Sequence, residues 1–163
     1  MSRYPVRRYV IHGEHFKRTR GELGTDDMSD AEFEAHTKSL TEEEQNDYIQ
    51  EGVFGKMLSQ FVQQCLIASG HEVIDNYADD WGRCVVIKSP GGKTVDIGCF
   101  NHADGTETAD GPEHMISAVG RPSLKGRFVT DNELCIFLND VNAIVEKLVS
   151  ETPNIRLLSQ EEE

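Results

Sequence analysis

The apolar residues of this chain change period twice, and that change limits it to folds in which helices cover a sheet. Between Phe54 and Leu66 they recur at three- and four-residue steps, as Phe54, Met57, Leu58, Phe61, Val62, Cys65 and Leu66, which places them on one stripe of a helix. After Gly70 the step shortens to two in "HEVIDNY", "WGRCVVIK" and "TVDIGCF", the pattern of consecutive strands. From Leu134 the helical step returns through Phe137, Leu138, Val141, Ile144, Val145 and Leu148. Two striped helices bracketing a meander bury their stripes most simply on one sheet face. The expectation is an α+β, two-layer sandwich with an antiparallel sheet of about four to five strands and two main helices.

Local signals place the boundaries. Ser29 with Glu32, Thr41 with Glu44, and Thr130 with Glu133 are capping boxes, in which side chains satisfy the orphan donors of a first turn. They open a short polar helix near 30–39, a longer helix that runs to Ser69 with Gly70 as its stop, and the final helix that Pro153 ends. Gly52 and Gly55 weaken the longer helix, so it reads as one bent helix or two. The stretch "SPGGKT" at 89–94 ends like a phosphate-binding loop, but Ile87 occupies the place of that loop's first glycine and a strand pattern follows where a helix is required. It therefore reads as a hairpin turn.

The ends of the chain differ in charge. Residues 1–24 hold six Lys and Arg against two acids, and residues 25–52 hold ten acids against Lys38 alone. We read 1–28 as a basic N-terminal arm in which Val6–Ile11 adds an edge strand or stays tethered. Residues 29–158 read as a single α+β domain closed by a strand or packing tail at Ile155–Leu158, and 159–163 as an acidic tail. Cys84 and Val86 face away from Val85 and Ile87, so the strand that carries them needs a cover on both sides. The N-terminal segment, a second protomer or a partner are the possible covers, and a homodimer through this open sheet face is one expectation.

The runs "YADDWGRCVVIK", "GGKTVDIGC" and "VTDNELCIFLNDVNAIVEKLVSETPNIRLL" resemble a group of small bacterial proteins of unknown function. In that group a helix precedes an Asp-Trp-Gly strand, and a last helix ends in a Pro-x-Ile tail. The resemblance covers about residues 54–158. It implies a shared fold and a bacterial origin, and it brings no catalytic residues with it.

A formal charge of −13 repels nucleic-acid phosphates and anionic membranes over most of a surface. No window reaches the roughly 18 apolar residues of a membrane span. The four cysteines are scattered, and no apolar signal segment follows the basic start, a combination that suits reduced thiols in the cytoplasm.

The richest polar constellation is Cys99, His102 and His114 with the carboxylates between them. Thiolate, imidazole and carboxylate could together hold zinc, although the spacing matches no familiar finger and Cys99 alternates as a buried strand residue. A Cys99–His102–Asp104 nucleophilic set lacks an oxyanion-hole turn after the cysteine. Asp79 and Asp80 read as closing a turn, with Trp81 as a core anchor. His12 and His15 read as surface residues. We therefore assign no catalytic residue, cofactor or metal. The acidic segment remains, and Glu42, Glu43, Asp47 and Glu51 are the candidate partner-binding residues. They suit a basic protein partner, or else the imitation of nucleic-acid phosphate. The reading is a non-enzymatic cytoplasmic module that binds another protein, set against an enzyme using the Cys99–His114 region.

Overall fold

A computed structural model describes residues 4–13, 15–101, 107–108 and 111–162. Among these described residues seven strands form: β1 (Arg7–Gly13), β2 (Glu72–Asp79), β3 (Gly82–Lys88), β4 (Thr94–Asn101), β5 (Glu107–Thr108), β6 (Gly111–Arg121) and β7 (Ile155–Glu162). Six of them run in the order β2-β3-β4-β6-β1-β7, with β5 paired to β6 off this path. Every pairing is antiparallel. The helices are α1 (Asp30–Ser39), α2 (Glu42–Gln45), α3 (Lys56–Ala68) and α4 (Asn132–Glu151).

The α+β class follows the two striped helices. Leu58, Val62 and Leu66 of α3 and Leu134, Leu138, Val141 and Val145 of α4 share one core with Val85, Ile87, Val95, Ile97, Ile116 and Ala118 of the sheet. The remaining stripe of α3 is only partly used, and Met57 stays 38% exposed. Ser29 accepts from the Glu32 N–H and Thr41 from the Glu44 N–H, the N-cap half of each expected capping box. The third cap lies one residue later than Thr130. Asp131 accepts from the Leu134 N–H, and Lys93 together with that bond holds its carboxyl below the usual range. The Ser89–Gly92 turn closes as a hairpin with Gly92 at φ +85, and Lys93 is tied to Asp131 rather than turned toward a phosphate.

The sheet is wider than the expected four to five strands, because both chain ends join it. Residues 7–13, read as part of an arm, form an inner strand between β6 and β7, with Tyr9 and Ile11 1% and 0% exposed. The acidic tail extends β7 along this strand, so that Arg8 faces Glu161 in register and Arg7 pairs with Glu162 at 3.8 Å. Opposite charges across strands favour that register. Other cations of the basic segment meet the acidic one, since Arg18 pairs with Asp26 and Asp27 and Arg20 with Glu44. His12, expected at the surface, is buried on β1.

The expected long helix is interrupted between Gln45 and Lys56, where Gly52 adopts φ +74. Cys84 and Val86 are each 2% exposed within one chain. Tyr77 lies across the strand from Cys84, and Asp96 is paired with Arg121 beside it. The argument for a second protomer over these two residues therefore fails, because neighbours on the same face already cover them.

Candidate functional site

The acidic segment folds back on α3 and the β2–β3 hairpin, and a buried carboxylate sets its position. Gly55 provides no side chain to cap α3, so the N–H groups of Gly55 and Lys56 need an acceptor from elsewhere. Glu22, 2% exposed, supplies it: Oε2 accepts from both at 2.7 and 3.2 Å, and Oε1 accepts from the Thr19 N–H at 3.0 Å. A carboxylate at a helix N-terminus is favoured by the helix dipole as well. Gly55 cannot be replaced without a shift, because a Cβ there would lie 2.4 Å from the Cys99 carbonyl oxygen.

Between this segment, α3 and the edge of the sheet runs a groove of about 610 Å³, lined by Glu43, Asn46, Asp47, Lys56, Gln60, Gln63, Gln64, Asn76 and Arg83. Five of these side chains are amides. The Asn76 amide donates to Gln63 Oε1 at 2.8 Å, and Arg83 donates to Asn76. Asp47 is 5% exposed, and both its oxygens accept from Lys56 Nζ at 2.7 and 2.8 Å. It forms a wall of the groove and takes part in an internal ion pair, so it is not a recognition residue on an open face. Glu42 and Glu43 are exposed on α2, and Glu51 is exposed in the turn that follows. They do not share one helix face, because α2 has only four residues.

A bond across the fold adds two carboxylates that the sequence did not connect to this segment. Gln50 Nε2 donates to the Asp80 carbonyl at 2.7 Å, which ties the β2–β3 turn to the residue before Glu51. Asp80 and Trp81 are the two residues of that turn, and Gly82 follows at φ +155. Any side chain at Gly82 would collide with the Phe100 Cβ, 2.5 Å away.

Trp81 is no core anchor. It is 41% exposed on the face of the sheet opposite the helices. Its benzo end rests on Gly98, where a Cβ would come within 3.1 Å of the ring, and Phe100 meets it edge-on at 5.5 Å. The indole borders a cleft of about 420 Å³ that also holds Arg8, Tyr77, Asp79, Cys84, Asp96 and Val119. The hydrogen bond with Cys84, and then burial, push the Tyr77 phenol up to about 12. Asp96 Oδ2 accepts from Arg121 Nε at 2.5 Å.

Two of the zinc candidates, Cys99 and His114, lie on neighbouring strands, with Cys99 opposite Ile116 and His114 two residues from Ile116 along β6. Cys99 is fully buried on the helix-facing side of β4, and burial raises its thiol, which disfavours the thiolate a metal or a nucleophilic mechanism needs. His114, 0% exposed, sits edge-on to Phe16 and Phe54 with centroids 5.6 Å from each. Desolvation lowers its pKa to about 4, partly offset by the Phe16 backbone. Neither ring nitrogen makes a well-formed hydrogen bond. His102 and Asp104 lie outside the described residues. Among the described residues no group of His, Cys, Asp or Glu is placed to hold a metal ion.

No family model, curated protein or solved structure matches this chain. Among the described residues no helix is long and apolar enough to cross a membrane.

Proposed function

We propose that this chain is a non-enzymatic cytoplasmic module that captures a basic protein, acting as an inhibitor, immunity-type factor or regulator. The observation that carries the reading is the Gln50–Asp80 hydrogen bond, which ties the acidic segment, at the residue before Glu51, to the Asp80–Trp81 turn and the Asp79 that precedes it. Among the described residues neither Glu42, Glu43, Glu51, Asp79 nor Asp80 takes part in an ion pair. A half-exposed tryptophan next to unpaired carboxylates has the composition of an interface centre with a charged rim. Acidic steering accelerates encounter with a cationic surface and is screened beyond about 8 Å at physiological ionic strength.

The test compares the immobilised protein with a Glu42→Gln/Glu43→Gln/Glu51→Gln variant in extracts of the native host. These changes keep the Thr41 cap and Glu44, and they leave the Asp47–Lys56 pair untouched. A basic protein retained by the wild type at low salt, released by added salt and absent from the variant supports the reading. Equal retention by both proteins removes it.

A further inference from the structure

We propose that Trp81 is the stacking platform for an arginine side chain of the partner, with Asp79 and Asp80 receiving the guanidinium N–H groups. This rests on the basic-partner reading above and names the group recognised. The chain has a single tryptophan, and the fold holds it at a hairpin tip rather than in the core. Its ring is already positioned: Gly98 supports the benzo end, and Phe100 packs edge-on at 5.5 Å with the planes at 76°. A partner group landing on the exposed part of the indole therefore meets a surface whose ordering cost has been met in folding. Indole is the best of the aromatic rings for a cation, and the attraction grows as the pair is desolvated.

The charges near the ring decide which cation. Asp79 Oδ1 accepts from the Asp80 N–H at 2.8 Å, which fixes that carboxylate beside the turn. Asp96, the other acid of the cleft, is engaged by Arg121, whose Nη2 also lies 3.5 Å from the Tyr77 hydroxyl. On this face, then, the chain already holds one guanidinium of its own between a carboxylate and a phenol hydroxyl, while Asp79 and Asp80 have no ion-pair partner among the described residues. Arg8 also borders the cleft, faces Glu161 across β7 and has an interaction within the chain. A planar guanidinium can stack on indole and donate in its own plane to carboxylates at the same time. A compact, more strongly hydrated ammonium has no plane to stack and no fork to match a carboxylate, so arginine is the side chain this corner favours.

The experiment uses the intact protein, whose fluorescence reports this corner alone because Trp81 is the only tryptophan. Labelled hexa-arginine, hexa-lysine and hexa-citrulline peptides are titrated, with anisotropy following binding and indole emission following the site. Citrulline keeps the shape of arginine without its charge. The expected result is an emission shift with hexa-arginine at affinity about tenfold tighter than hexa-lysine, and no shift with hexa-citrulline. Asp79→Asn/Asp80→Asn weakens the arginine peptide about tenfold, as does Trp81→Leu read by anisotropy. Hexa-arginine binding that leaves the emission unmoved, or equal affinity for the lysine peptide, overturns the proposal. Host-partner capture unchanged by Trp81→Leu but lost in the Glu42/Glu43/Glu51 variant overturns this anchor while leaving the acidic-surface reading standing.

Discussion

Acidification should destabilise this protein through His114. The ring is fully buried between Phe16 and Phe54. His12 is the charged group that acts on it, adding to the lowering, and Arg18 lies 5.1 Å over the neighbouring Phe54 ring. Its folded pKa of about 4 lies below the ordinary 6.5. Between those values the unfolded chain therefore binds the proton and the folded chain does not. Stability is complete above the unfolded value and falls as the pH drops toward the folded one. Integration gives a loss of about 2 kcal/mol by pH 5 and about 3 kcal/mol once the pH is well below 4.

Carboxylates titrate over part of the same range, so the wild type must be compared with His114→Phe. That change preserves an aromatic ring between Phe16 and Phe54 and deletes two buried nitrogens without well-formed hydrogen bonds. Urea unfolding followed by circular dichroism at pH 7.5, 6, 5 and 4 should show the wild type losing about 3 kcal/mol more than the variant as the pH falls. At pH 7.5 the two should lie within about 1.5 kcal/mol. Parallel stability curves for the two proteins would refute the reasoning.

Further outcomes follow from groups the fold buries or exposes. Glu22→Ala leaves the Gly55 and Lys56 N–H groups without their acceptor, and should cost about 3 kcal/mol in urea unfolding. Val86→Asp places an unpaired charge at a site 2% exposed in one chain. It should destabilise by about 3 kcal/mol or more at every protein concentration, whereas a dissociating dimer would show concentration dependence. Phe128, 74% exposed, should accept serine with a change within about 0.5 kcal/mol by the same measurement.

What the amino-acid order determined by itself is local. The Ser29 and Thr41 caps, the turn at Gly92 and the two helical stripes depend on residues a few positions apart, and those distances are set by backbone geometry whatever lies beyond. The limits of local reading show at Asp131, which caps the helix in place of Thr130 and also holds Lys93 of the neighbouring hairpin. The tertiary structure decided the rest. A two-residue period marks a strand but carries no information about its neighbours, so Tyr9 and Ile11 were legible as apolar without showing that β1 lies inside the sheet and β7 at its edge. Asp47 looks like one more surface acid until Lys56 meets it, and Glu22 reads as a stray charge until a helix whose own N-cap is glycine arrives with two donors unpaired. Trp81 inverted its expected role for a similar reason: a two-residue hairpin carried it outward over Gly98 instead of into the core. Burial and charge pairing are sums over long-range neighbours, and for a site made of α2, a glycine-rich turn and a hairpin tip those neighbours exist only after the chain has folded.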